Sequence, residues 1–193
     1  MTDSAAALPP PLAIRGARPF TQVVVHTDMR QAQDDWARLE VCAGHSAYQR
    51  RDWILPWLGS IGRAEGWRPA VIVARDAQGS PVALLPLGVV KRGPLNLAEF
   101  LGGKDANYGL GLFRPDVFFT REDIEALLRE GAAAAPGGID LYSLINQPPI
   151  WNGVANPLAQ LPHSPSPSQD YVARLSKPGE AFLKARLSKD TRK

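Results

Sequence analysis

The stretch from Ala70 to Leu87 leaves the chain least freedom. Ala70-Val71-Ile72-Val73-Ala74 and Pro81-Val82-Ala83-Leu84-Leu85-Pro86-Leu87 are apolar runs separated by Asp76-Ala77-Gln78-Gly79. Two such runs joined by a short glycine-containing turn form a β-hairpin. Pro81 and Pro86 have no amide hydrogen, so the second strand is expected to begin, or to border irregular pairing, at those positions. Beyond Gly93-Pro94, residues Leu95 to Leu101 read as a third strand, which turns the hairpin into a meander.

Helical and extended segments flank this meander. Phe20 to His26 is short and β-branched and reads as a strand. Thr27 or Asp28 is placed to cap a helix that runs to about Cys42, with Trp36, Leu39 and Ala32 on one face. A second helix is expected from about Tyr48 to Ala64, because Trp53, Ile54, Trp57, Leu58 and Ile61 fall at helical spacing. Pro56 kinks it or divides it in two, and Gly66 stops it. Downstream, Thr120 with Asp123 three residues on opens a helix whose apolar face is Ile124, Leu127 and Leu128. After Gly137-Gly138, Ile139 to Leu144 reads as a strand. Trp151, Val154, Leu158 and Leu161 suggest a short helix containing Pro157. Tyr171 to Leu175 is a further strand, and Ser176 opens a last helix. The order predicts a mixed α/β (α+β) domain, a central mixed sheet with helices on both faces. Residues 1–18 read as a flexible Ala/Pro-rich tail, 19–175 as the domain, and 176–193 as a basic linker helix.

Charge and composition narrow the function classes. The net charge of +3 over 193 residues is too mild for a dedicated nucleic-acid binder. The basic C-terminal run (Lys184, Arg186, Lys189, Arg192, Lys193 against Asp190) reads as a solvated helix face. No stretch approaches the ~20 apolar residues needed to cross a bilayer. Asp3 precedes every basic residue, and Pro9-Pro10-Pro11 interrupts the only apolar run near the start, which makes a poor signal peptide. Cys42 is the only cysteine; no intrachain disulfide can form, which fits a reducing, cytoplasmic setting, and Cys42 reads as a small buried hydrophobe. His26, His45 and His163 lack metal-ligand spacing, so no metal is expected. Asp35, Glu40 and Asp52 read as helix-surface charges, and no serine-centred nucleophile elbow occurs. The residues assign no catalytic group.

The element order resembles the GNAT acyl-CoA N-acyltransferase fold. Trp36-Ala37-Arg38-Leu39-Glu40, Tyr48-Gln49-Arg50-Arg51-Asp52-Trp53 with Trp57, the strand ending Ala83-Leu84-Leu85-Pro86-Leu87, and Phe100-Leu101-Gly102-Gly103 resemble, more narrowly, the N-terminal half of bacterial acetyltransferases associated with cellulose biosynthesis, relatives of the FemAB-like enzymes. The resemblance runs from about Phe20 to the C-terminus. It implies two GNAT-like halves, of which the second holds acetyl-CoA as acyl donor. The present chain would then be a truncated, acceptor-side half, inactive in isolation. Its partner would be that C-terminal half or another copy in a homo-oligomer, and its acceptor a small molecule or a polysaccharide-related compound. The alternatives are a non-catalytic binding module on the same fold and a truncated product without independent function.

GNAT enzymes hold the CoA diphosphate on backbone amides at a helix N-terminus, where the dipole is positive. The usual sign is Arg or Gln, two residues, Gly, one residue, then Gly or Ala. The corresponding stretch, Gly102-Gly103-Lys104-Asp105-Ala106-Asn107-Tyr108-Gly109-Leu110-Gly111, has glycines at other spacings. On one reading Lys104, Asp105, Asn107 and Tyr108 line an acceptor pocket, with Lys104 attracting an anionic group and Asp105 orienting or deprotonating an amine. On the other it is a surface loop that uses glycine for its turns.

Overall fold

The computed structural model describes residues 17–166, and its regular elements all belong to the unit that ends at His163. The strand expected over Tyr171 to Leu175 and the helix expected after Ser176 lie outside the described residues. Strands β1 (Gln22–His26), β2 (Arg68–Arg75), β3 (Pro81–Arg92) and β4 (Leu95–Phe100) pair antiparallel in succession. Strand β6 (Leu141–Ser143) joins β4 in parallel, Leu97 opposite Leu141, and the two-residue β5 (Leu112–Phe113) pairs with β3. The sheet order is β1-β2-β3-β4-β6, with β5 beside β3. A parallel pair needs a crossover of a dozen or more residues, and α3 (Arg121–Ala134) lies within this one.

Period-two alternation along the strands divides the core. Ile72, Leu85, Leu87 and Phe100 share one cluster with Ile124 and Leu127 of α3. Val71, Val73, Leu84 and Val90 share the other with Trp36 and Leu39 of α1 (Gln33–Cys42) and with Ile54 and Trp57 of α2 (Arg51–Trp57). The molecule is thus a mixed α/β unit whose mixed sheet carries helices on both faces. Each fully buried Leu, Ile or Val contributes roughly 1.5–3 kcal/mol of burial.

Strand β3 runs through Pro86 and on to Arg92, five residues past the expected end. The Pro86 carbonyl accepts from the Leu101 amide at 2.8 Å. Amide and carbonyl of one strand residue point to the same edge, so the missing donor also faces that edge. There β3 changes partner, from β5 at Ala83 and Leu84 to β4 at Leu87. The proline therefore removes one donor at the end of the β3–β4 ladder, where the loss interrupts neither run of pairing. At Pro81 the expected irregularity is present, as a register shift between Ala74 and Arg75.

Other expectations need correction. The first helix starts at Gln33 without a side-chain cap; Asp28 instead closes a local turn by accepting from the Arg30 amide and guanidinium. The buried face of α1 is Ala32, Trp36, Leu39 and Ala43. Cys42 falls one position off that stripe and is exposed. Asp35 is buried rather than on the surface, paired with Arg75 of β2. The second helix is broken into a 3-10 turn at Ala47–Gln49, α2, and a π turn at Leu58–Gly62. The wider π turn rotates Ile61 off the core face, where it is 41% exposed. Gly66 does end the segment, at φ 76. Trp151 and Val154 do not share a helix: they are a cross-strand pair in a hairpin, β7 (Ile150–Trp151) and β8 (Val154–Ala155), and only Pro157–Gln160 is helical, as a 3-10 turn.

Candidate functional site

The loop after β4 is built around glycines that tryptophans overlie. Gly102 and Gly103 both have positive φ, 107 and 47. A Cβ on Gly102 would lie 2.8 Å from Trp53 Cζ3, and one on Gly103 would lie 3.1 Å from Trp67 Cζ2. Farther on, a Cβ on Gly109 would meet Phe100 Cδ2 at 2.5 Å and the Ile145 carbonyl at 2.6 Å. These glycines therefore serve close packing as well as turning.

The four residues singled out in the sequence separate into two pairs. Lys104 and Asp105 turn toward the helical layer: Lys104 Nζ lies 3.6 Å from Glu65, and the Asp105 carboxylate accepts from Trp57 Nε1 at 2.9 Å. Asn107 and Tyr108 face another way. Asn107 Nδ2 donates to the Tyr48 hydroxyl at 3.0 Å, and the Tyr108 ring lies against Trp151, centroids 4.7 Å apart and tilted by 56°. Tyr48 in turn meets Trp53 edge-on at 5.1 Å. Tyr48, Trp53, Tyr108 and Trp151 are each partly exposed, and Asn107, which bonds to the Tyr48 hydroxyl, is exposed.

Hydrogen bonds fix these residues in place. Ser46 and Gln49 form a capping box on the 3-10 turn, and the buried Gln49 amide donates to the Tyr108 carbonyl at 2.8 Å. Trp151 Nε1 donates to the His45 carbonyl at 2.9 Å. The Gly109 amide donates to the Asn146 carbonyl at 3.0 Å. His45 itself lies in the interhelical loop, its ring nitrogens 3.0 Å from the Ser46 and Glu40 carbonyls, and makes no dyad with Cys42. The cavity that Trp151 lines, with Gly44, Gly111 and Asn156 among its walls, is about 20 Å³, room for a single water.

Sequence reasoning missed Tyr48, Gln49, Trp53 and Trp151 as partners of this loop. Two signals were available: Ser46-x-x-Gln49 has the spacing of a capping box, and Asn152-Gly153, at φ 50 and 81, is a strong hairpin-turn dipeptide.

The first turn of α3 bears on the diphosphate question. Thr120 Oγ1 accepts from the Asp123 amide at 3.2 Å, and the Asp123 carboxylate accepts from the Thr120 amide and hydroxyl at 2.9 Å each. Glu122 adds a second carboxylate to the same turn. Helix-end donors are thus partly occupied from within, and the positive end of the dipole is already met by acidic groups. Among the described residues no group of three or more His, Cys, Asp or Glu is placed to hold a metal ion, and no helix is long and apolar enough to cross a membrane. Comparison of the chain with protein-family models, with curated proteins and with solved structures finds no match in any of the three.

Proposed function

We propose that this chain is the acceptor-side half of an acetyl-CoA-dependent N-acyltransferase of the GNAT type, shaping the acceptor site while a second GNAT-like unit holds the acyl donor. The observation that carries this reading is the sheet: an antiparallel β1-to-β4 meander continued through α3 into the parallel strand β6, with helices on both faces. That layout is the one implied by the resemblance of the element order. The self-capped, acidic start of α3 supports the second part of the proposal, that the donor is held elsewhere.

A non-catalytic binding module is the second reading, and one observation favours it. The Asp105 carboxylate accepts from Trp57 Nε1 at 2.9 Å, so the loop's one carboxylate serves to anchor the loop to α2.

Calorimetric titration of acetyl-CoA into the full chain, alongside an amine-acetylation assay, tests the proposal. The expected result is no saturable binding and no turnover by the 193-residue chain, with turnover appearing when the chain is made together with whatever its gene encodes in frame on either side. Tight acetyl-CoA binding by the chain alone overturns the acceptor-side assignment. Absence of turnover in the native-context product overturns the acyltransferase reading and leaves the binding module.

A further inference from the structure

We propose that the hollow where the end of α3 meets β2 and β3 binds a small monocarboxylate with an apolar body, its charge held by Arg68. The site shares no residue with the loop 102–111 and does not rest on the acyltransferase reading.

The floor sets the body of the ligand. Ala70 of β2, Val89 of β3 and Ala135, which closes α3, are buried in one apolar cluster. Alanine side chains are short, and a hollow of about 330 Å³ opens over these three, with the exposed Pro136 on one side. Small-molecule sites span roughly 300–1,000 Å³, so this one suits a small ligand. A polar body would lose hydration on this floor without a partner.

The rim sets its charge. Arg68 lines the hollow, and no acidic residue does. Arg68 Nη2 donates to Asn96 Oδ1 at 3.3 Å, and Asn96 Nδ2 donates to the Gly137 carbonyl at 2.8 Å. A Cβ on Gly137 would lie 3.9 Å from Arg68 Nη1, which puts the guanidinium beside the Pro136-Gly137 turn. The Asp140 carboxylate accepts from the Asn96 amide at 2.7 Å, and among the described residues Arg68 has no ion-pair partner. Asn96 thus engages one of the five N–H donors of the guanidinium. Arg68 is not spent on capping α3 either. The Gly131, Ala135 and Gly137 carbonyls accept from the Ala135 amide, the Gly138 amide and the Asn96 side chain.

The balance of charge selects the head group. The C-terminal end of α3 carries roughly half a negative charge against the full positive charge of Arg68. What remains favours a single negative charge over a phosphate dianion, and repels a cation. A carboxylate also matches the guanidinium fork with two parallel hydrogen bonds. The Thr27 hydroxyl, at the same rim and without a partner among the described residues, supplies one more donor.

The test is titration of the full chain with hydrocinnamate and octanoate, alongside the amide of each, followed by two-dimensional amide NMR. Saturable binding of at least one acid is expected, with shifts centred on Thr27, Ala70 and Ala135, and with its amide bound about tenfold more weakly or worse. Arg68 is exposed, so Arg68→Gln keeps the fold and is expected to erase the preference for acid over amide. Ala135→Leu fills the hollow and is expected to abolish binding; circular dichroism reports whether that variant folds, and if it does not, Arg68→Gln decides alone. No saturable binding of either acid, amides bound as tightly, shifts confined to other residues, or acid binding unchanged in Arg68→Gln overturns the proposal. Acid binding by a chain that transfers no acyl group leaves this site standing, and acyl transfer without acid binding removes this site alone.

Discussion

The side-chain amide of Gln49 donates to the carbonyl of Tyr108 at 2.8 Å, across 59 positions of sequence. The other end of the same amide accepts from the Ser46 backbone at 3.0 Å and from its hydroxyl at 2.8 Å. Gln49 is 2% exposed, so water cannot replace it. Truncation to alanine strands the Tyr108 carbonyl and the Ser46 amide, at about 1–3 kcal/mol for each group left unsatisfied. Gln49→Ala is expected to lower stability by about 2–6 kcal/mol in urea denaturation, with backbone NMR shifts concentrated at residues 106–109. Gln49→Glu sets an ionised carboxylate against the Tyr108 carbonyl at a buried site and is expected to cost at least as much at pH 7.

Gly131 of α3 faces Ile72 so closely that a Cβ would lie 2.5 Å from Ile72 Cδ1 and 3.1 Å from Cγ2. Alanine is the better helix former by about 1 kcal/mol, but overpacking a rigid core costs about 1–3 kcal/mol. Gly131→Ala is therefore expected to destabilise, and Ile72→Val to recover part of the loss when the two are combined. Gly59, where a Cβ would meet nothing within 4 Å, is the control: its alanine variant should leave the melting temperature unchanged or raise it slightly.

Asp76 organises the β2–β3 turn, accepting from the Ser80 and Gln78 amides at 2.8 and 3.1 Å and from Arg114 at 3.1 Å. The Ser80 amide above all holds its carboxyl below the ordinary value of 3.8; burial, the next largest influence, opposes it, and the Arg114 guanidinium and the Gln78 amide add to the lowering. A group whose folded pKa is depressed stabilises the fold above its unfolded value and loses that contribution as pH falls through the folded one. Thermal unfolding followed across pH should show this loss setting in below about pH 4. Asp76→Asn should be less stable than the parent at pH 7 and should lose less on acidification.

The meander was legible because β2 and β3 are continuous apolar runs around a glycine turn, a local signal. The cap of α3 was legible for the same reason, since Thr120 and Asp123 sit one turn apart. What escaped depends on contacts distant in sequence. Nothing near Asp35 announces Arg75, and nothing near Tyr108 announces Gln49 or Trp151. The helical stripe from Trp53 to Ile61 was read with one period, while Pro56 and the π turn at Leu58–Gly62 change it midway. At the candidate site Asn107 and Tyr108 do meet partly exposed rings, those of Tyr48 and Trp151, but Lys104 and Asp105, chosen for their charge, turn away to Glu65 and Trp57. Loop residues rich in chemistry can be recruited as struts, and only packing decides which.

The change of partner at Pro86 separates the sheet's frame from the loop that carries Asn107 and Tyr108. Residues 102–111 leave after one ladder ends and return as another begins, so lengthening or shortening them alters no rung of either. What resists a change of length there is the packing of Gly102, Gly103 and Gly109 under their aromatic neighbours, and no strand pairing is at stake.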